Sequence, residues 1–172
     1  MKSVLVLTSL LLLLAIPQVS KADEDGLFTN RITVSLRLGD FSSNTPWWAN
    51  DFSAGLEVTR YIGDDAAVSI AAEAFEIGFM SEIVPLTFSY KWFPNGNSTT
   101  VRSSGIGILP WFGGGVGLHI RGHGDVIDVG GHIGGGVVIP LSNFFEFGAD
   151  IRHLFNDNYS LTAYGLSLGV RF

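Results

Sequence analysis

The sequence predicts an all-β fold, an eight-stranded antiparallel up-and-down transmembrane β-barrel, from two observations. First, eight segments of roughly ten residues alternate between apolar and small or polar side chains, the period of a strand with two different faces. Second, hydrophobic residues make up 47% of the 172 residues, charged residues only 15%, and 22 residues are glycine. A transmembrane barrel explains this profile better than a soluble domain, because its apolar side chains coat the outside.

The first four segments place aliphatic and aromatic residues on one face and hydroxyl, small or charged residues on the other. Turn-like residues such as Gly63 separate them. The four segments are Phe28–Gly39, Phe52–Tyr61, Ala67–Phe75 and Val84–Phe93. Their apolar faces are Ile32, Val34, Leu36 and Leu38; Phe52, Ala54, Leu56 and Val58; Val68, Ile70, Ala72 and Ala74; and Val84, Leu86, Phe88, Tyr90 and Trp92.

The last four segments keep this alternation, but glycine occupies much of the opposite face in the fifth and sixth. The glycine runs at 113–115 and 134–136 lie inside strands, where they allow close backbone approach or leave room for large neighbours. The segments are Ile108–Ile120, Val126–Ile139, Phe145–His153 and Leu161–Phe172. Eight strands of this length match the smallest membrane barrels.

Period alone does not distinguish the inside of a barrel from its outside, since a soluble lipocalin turns its apolar side chains inward. Aromatic residues at the segment ends favour the membrane alternative, in which they form girdles at the two interfaces. The expected girdles are Tyr61, Trp92, Phe93, Phe144 and Phe172 at one rim, and Trp47, Trp48, Phe79, Phe155 and Tyr159 at the other.

Residues 1–22 have the pattern of a cleavable signal peptide: Lys2, an apolar run over Val4–Ile16, and small residues at Ser20 and Ala22. Residues 23–172 are then one barrel domain. This domain has eight basic and sixteen acidic residues, a net charge of −8, which argues against nucleic-acid binding. The chain has no cysteine, which excludes disulfides, thiolate chemistry and lipoprotein acylation.

The final segment resembles the C-terminal signature of bacterial outer-membrane barrels, in which alternate apolar residues precede a terminal Phe. The resemblance implies that the barrel-assembly machinery reads this strand. The matching residues are Tyr164, Leu166, Leu168, Val170 and Phe172.

A second stretch, Val84–Ile120, resembles the middle of OmpW-like small barrels, within a superfamily that includes OmpX and the OmpA barrel. The matching residues are Trp92, Phe93, Pro94, Pro110, Trp111, Gly113, Gly115 and Gly117. The resemblance implies an outer-membrane location, contact with membrane lipid and lipopolysaccharide, a monomer, and no cofactor.

Charged residues recur on the face predicted to line the lumen, where an eight-stranded barrel has room only for side chains. Buried charges must pair, so we expect a salt-bridged plug. The alternative is a proton or ion path, with Glu57, Glu73, Lys91 and Arg152 at its core. The complete set is Arg31, Arg37, Glu57, Glu73, Lys91, Asp128, Glu146, Asp150, Arg152 and Arg171.

Metal binding and catalysis are both disfavoured. His119 and His132 share the inward face, but a turn near His123 is expected to separate them by about 20 Å, too far for one metal ion. Some similar barrels deacylate lipid A with a His-x-Ser pattern on the penultimate strand. Here that position reads His153-Leu154-Phe155, so the nucleophile is missing and no catalytic residue is expected.

Three functions remain open from the sequence. The first is a structural role or narrow permeation of small or hydrophobic solutes. The second is surface binding or adhesion through extracellular loops, for which Trp47 and Trp48 in the Asp40–Asp51 loop are the contact candidates. The third is a barrel enzyme that modifies lipid A.

Overall fold

The computed structural model describes residues 31–43, 52–63, 65–77, 81–96, 107–122 and 126–172, and every regular element among them is a strand. Each strand pairs antiparallel with the next, and β8 pairs with β1 to close the barrel, which confirms the predicted architecture. Within these residues no helix has the length and apolar character needed to cross a membrane. The strands are β1 (Ile32–Ser43), β2 (Phe52–Ile62), β3 (Ala66–Ile77), β4 (Ser81–Trp92), β5 (Leu109–Arg121), β6 (Val126–Pro140), β7 (Phe145–Phe155) and β8 (Ser160–Arg171).

The strands run beyond the alternating segments, chiefly at the end of the barrel where β1 stops. β1 continues to Ser43 instead of ending at Gly39, and Asp40 and Ser42 remain paired with β8. The ladder extends there because backbone pairing does not require apolar side chains. We call the end where β1 begins the lower end and the opposite end the upper end.

The register fixes the tilt of the strands. Following paired residues once around the barrel from Ser42 on β1 leads back to Ile32, ten residues earlier on the same strand; the path is Thr162, His153, Ile133, Gly114, Tyr90, Val68 and Arg60. With standard strand rise and spacing, this stagger gives a tilt of about 40°. The lumen is therefore only wide enough to be filled by side chains.

The apolar faces of the strands point outward, so the lipocalin-like alternative is wrong. The predicted assembly-signature residues, four in β8 and Phe172 directly after it, lie on this outer face, where Leu166 is 55% exposed and Phe172 59%. Polar and charged residues such as Thr33, Glu57 and Lys91 point inward and are buried.

Two apolar clusters close the lumen near its ends, a feature the sequence analysis did not anticipate. The upper cluster consists of Phe41, Phe75, Ile83, Leu154, Tyr159, Leu161 and Ala163. The lower cluster consists of Tyr61, Ala67, Phe93, Leu109, Trp111 and Val138.

The girdle prediction is therefore wrong for Tyr61, Phe93 and Tyr159, which are buried inside the barrel. Each of these three residues is an even number of positions from the inward-facing residues of its strand, or packs over the mouth of the lumen. The remaining described girdle residues, Trp92, Phe144, Phe155 and Phe172, are exposed on the outside. Trp47, Trp48 and Phe79, and the predicted signal peptide at residues 1–22, lie outside the described residues.

Candidate functional site in the barrel lumen

Arg37 on β1 is the centre of the charged lumen and is only 2% exposed. Its Nη1 donates to Oε2 of Glu57 at 2.8 Å. Its Nη2 donates to the two carboxylate oxygens of Asp150 at 2.5 and 2.6 Å. Its Nε lies 3.6 Å from Oε2 of Glu73. One guanidinium group thus joins carboxylates from β2, β3 and β7, and strands far apart in sequence are tied together through the lumen.

Two further cations complete the arrangement. Lys91 Nζ lies 2.6 Å from Oε1 of Glu57 and 4.8 Å from the centre of the Trp111 ring. Arg152 donates from Nε to Asp150 at 3.0 Å and from Nη2 to Glu73. Three cations therefore face three carboxylates and their formal charges cancel. We call this set the central network: Arg37, Glu57, Glu73, Lys91, Asp150 and Arg152.

Inward glycines leave the space that the central network occupies. Gly55 is paired with both Arg37 and Glu73, and a Cβ there would lie 2.8 Å from the Cβ of Glu73. A Cβ at Gly134 would lie 2.7 Å from the Cγ of Arg152. Large charged side chains therefore alternate with glycine around the circumference, as layers of large and small residues do in other small barrels.

The other four predicted lumen charges lie outside the central network. Near the lower end, Arg171 Nη2 donates to Glu146 at 2.6 Å, and the Tyr61 hydroxyl donates to the same carboxylate at 3.2 Å. Near the upper mouth, Asp128 pairs at 2.7 Å with Arg121, a residue that the sequence analysis omitted. Arg31 forms no ion pair with another described residue. The ten predicted residues thus comprise the six of the central network, the Glu146–Arg171 pair, Asp128 paired with the unpredicted Arg121, and Arg31.

Little free space remains between the central network and the lower cluster. The cavity there has a volume of about 20 Å³ and is lined by Arg37, Lys91, Tyr61 and Trp111 among others. A volume of this size holds about one water molecule. Between the central network and the lower cluster, the described part of the lumen is therefore filled by side chains.

The two inward histidines, His119 and His132, lie closer together along the strands than predicted. His119 pairs with Asp128, and this register places His132 opposite Gly115, four residues from His119, or about 13 Å at strand rise. His132 Nε2 hydrogen-bonds to the Ser89 hydroxyl at 2.9 Å, and His119 Nδ1 lies 2.7 Å from the Tyr159 hydroxyl. Among the described residues, no group of three or more His, Cys, Asp or Glu could hold a metal ion.

Replacing Tyr159 with Phe is expected to lower the free energy of unfolding by about 1 kcal/mol at pH 8, because the hydrogen bond to His119 is lost. Burial raises the pKa of the Tyr159 phenol. The unfolded chain therefore ionises first as the pH rises above about 10, and the contribution of the hydroxyl declines there. Urea unfolding in detergent at pH 8 and pH 11 measures both effects.

The matched control for this experiment is Tyr164→Phe, which removes a hydroxyl from an exposed, outward-facing ring. We expect it to cause a smaller loss at pH 8. An equal difference between wild type and Tyr159→Phe at both pH values would contradict the assignment of a buried, hydrogen-bonded phenol.

A hydroxyl that the sequence pattern missed lies beside His153. The Nδ1 atom of His153 lies 3.1 Å from Oγ1 of Thr162 on the neighbouring strand, and the His153 ring is stacked with the ring of Phe155. The expected position for a nucleophile, residue 155, is indeed Phe. Within the described residues no carboxylate hydrogen-bonds to His153, so the pair lacks the third group that orients the base in a nucleophilic site.

No model of a protein family and no curated protein matches the chain, but solved structures do. Neisserial surface protein A (NspA) is 12% identical, with a TM-score of 0.64 over 83% of this chain and 96% of that one. The N-terminal β-barrel domain of Pseudomonas aeruginosa OprF is 12% identical, with a TM-score of 0.59 over 84% and 98%. The outer membrane enzyme PagL is 13% identical, with a TM-score of 0.50 over 80% and 98%. The chain therefore has the fold of the small eight-stranded outer-membrane β-barrels.

Proposed function

We propose that this protein is a bacterial outer-membrane protein whose barrel is a closed structural element that does not conduct solutes through its lumen. The observation that carries this proposal is the filled lumen, in which the central network lies between the upper and lower apolar clusters. Export by the segment 1–22 and assembly through the β8 signature belong to the same proposal, as does contact of the outer face with lipid and lipopolysaccharide.

The energetics of the central network oppose permeation. An ion or a hydrated proton that passed through the central network would have to separate Arg37 or Arg152 from the carboxylates that it contacts. Leaving one buried partner of such a pair uncompensated costs about 3–5 kcal/mol. The aromatic residues of the two clusters add apolar layers on both sides, which a hydrated ion would have to displace.

Conductance in planar lipid bilayers tests the proposal. We expect the purified, folded protein to produce no stepwise conductance, whereas a general porin in the same membranes does. Heat-modifiable mobility on gels establishes that the sample is a folded barrel before reconstitution. Stable conductance steps that grow in number with the amount of folded protein, and vanish after boiling, would refute the closed lumen.

A further inference from the structure

The turn between β7 and β8, residues 156–159, is a compact unit at the upper mouth of the lumen. Oδ1 of Asn156 accepts the backbone N–H groups of Asn158 and Tyr159 at 2.8 and 2.9 Å, and the N–H of Asn156 donates to the Tyr159 carbonyl oxygen at 3.0 Å. Such bonds from an Asn side chain define a turn locally. The backbone ladder between β6 and β7 ends at Phe155, before the turn begins. Side chains therefore attach the turn to the β5–β6 hairpin.

Three side-chain contacts make this attachment. The Tyr159 hydroxyl lies 2.7 Å from Nδ1 of His119, and Nδ2 of Asn156 lies 3.4 Å from the same nitrogen. Nδ2 of Asn158 donates to Oδ1 of Asp128 at 3.2 Å. Because an amide nitrogen only donates, Nδ1 of His119 is the acceptor and the imidazole proton lies on Nε2. Two of the three contacts thus require an unprotonated Nδ1.

The His119 ring is enclosed between the hairpin and the turn. It has no exposed surface, and a Cβ at Gly130 on β6 would lie 2.7 Å from its Nε2, so the ring lies directly on the β6 backbone. On the other side, the centre of the Tyr159 ring is 5.6 Å away. Among the described residues, Nε2 has no hydrogen-bond partner. A positive charge on this ring would lack hydration, which makes it costly.

The described charged groups around His119 do not offset that cost. Asp128 lies opposite His119 in the β5–β6 register, but its Oδ2 is already 2.7 Å from Nε of Arg121. The turn contributes the exposed Asp157, the residue opposite on β4 is a proline, and His132 shares the inward face further along the lumen. Protonation of His119 would therefore place a cation beside an ion pair whose charges already cancel.

We propose that residues 156–159 form an acid-released strap over the upper mouth of the lumen, with His119 as its latch. At neutral pH, Nδ1 accepts from the strap and holds it on the hairpin. Protonation of Nδ1 removes this acceptor and creates a buried cation near Arg121, so the strap leaves the hairpin and His119 reaches water. Release uncovers the upper cluster, to which Tyr159 belongs. The central network and the lower cluster stay in place in both states, so the conductance experiment and the following one fail independently.

Electron paramagnetic resonance with two spin labels tests the strap, and the absence of cysteine from the chain simplifies the labelling. The labels are attached through Asp157→Cys on the strap and Ile127→Cys on β6, both at exposed positions. The distance between them is measured in detergent at pH 8 and pH 4.5. We expect the ratio of released to attached strap to rise up to about 100-fold at pH 4.5, the limit for a histidine that is neutral when attached and has a pKa of about 6.5 when released.

Three variants in the labelled protein assign the response. His119→Asn keeps an acceptor oxygen but does not titrate in this range, so the strap should stay attached at both pH values. His132→Asn is the matched control, because it removes the other buried inward histidine and should leave the response intact. Asn158→Ala removes the contact with Asp128 and should move the midpoint of release to higher pH.

Heat-modifiable mobility at both pH values checks that each sample remains a folded barrel. An unchanged distance between pH 8 and pH 4.5 in the protein with both native histidines would overturn the proposal. So would a full response in His119→Asn, the loss of the response in His132→Asn, or an unchanged midpoint in Asn158→Ala.

Discussion

Replacing Arg37 with Ala is expected to lower the free energy of unfolding by about 3–5 kcal/mol. The guanidinium group contacts Glu57, Asp150 and Glu73, all of which are buried with it. Without it, three carboxylates face only Lys91 and Arg152, and one negative charge in the lumen is left uncompensated. This loss would be large relative to the stability of a small domain.

The measurement is urea unfolding of the folded protein in detergent, followed by tryptophan fluorescence and by heat-modifiable mobility. Arg121→Ala is the matched control, because it also removes an arginine from an ion pair of similar length. That pair is partly exposed, with side-chain exposures of 32% for Arg121 and 19% for Asp128. The control should cost at most about 1 kcal/mol. Equal losses in the two variants would show that the central network does not stabilise the barrel.

A double variant distinguishes an unpaired charge from lost packing. Asp150→Asn removes one of the carboxylates that lose the guanidinium group in Arg37→Ala, although Arg152 still contacts it. If the unpaired charge is the cause, the combined variant should be destabilised by less than the sum of the two single variants, since residues in one network are coupled. Additive effects would instead assign the loss to the packing of the arginine side chain.

The sequence pattern predicts the strand face on which the charged residues lie, but not which of these residues meet. Alternation with a period of two assigns Glu57, Glu73, Lys91 and Arg152 to the inward face, and these four residues do lie in one network. The pairing of Arg37 with Asp150 depends on the closure of β1 against β8 and on the stagger of ten residues. Neither quantity is encoded in the local pattern.

The apolar ends of the lumen were not predicted, because aromatic residues near strand ends were assigned to the girdles for their closeness to a rim. The alternation of inward and outward residues along each strand was not applied to them. Tyr61 is separated from Glu57 and Thr59 by even numbers of residues, so it shares their inward face. The same rule assigns Phe41 to the face of Arg37. Parity, applied to the residues near both ends of each strand, would have placed the members of both clusters on the inward face. The contact between His153 and Thr162 could similarly be inferred once the hairpin turn at Asn156–Tyr159 is known.

Replacing Gly115 with Ala is expected to lower the free energy of unfolding by about 3 kcal/mol through overpacking and a lost hydrogen bond. Gly115 on β5 is paired with Ser89 on one side and His132 on the other. The His132 ring reaches across this glycine to hydrogen-bond with the Ser89 hydroxyl. A Cβ at residue 115 would lie 1.8 Å from the Phe88 carbonyl oxygen and 2.9 Å from Cε1 of His132.

Gly135→Ala provides the matched control, because it adds the same methyl group to the neighbouring strand but on the outer face. Its nearest neighbour would be the Trp111 carbonyl oxygen at 3.0 Å. The crowding there is partly offset by the lower backbone entropy of Ala in the unfolded chain, so we expect a change within about 1 kcal/mol. Equal losses at residues 115 and 135 would show that the inward position is not the more crowded one.

The two sources of crowding at Gly115 can be separated with His132→Ala. If the ring accounts for part of the loss, adding His132→Ala to Gly115→Ala should destabilise the protein by less than the sum of the single variants, by about 1 kcal/mol. If the backbone of β4 accounts for all of it, the two effects should add. The first result would mean that the glycine runs of β5 and β6 accommodate specific lumen side chains. The second would mean that they serve the close approach of neighbouring strands, whatever the lumen contains.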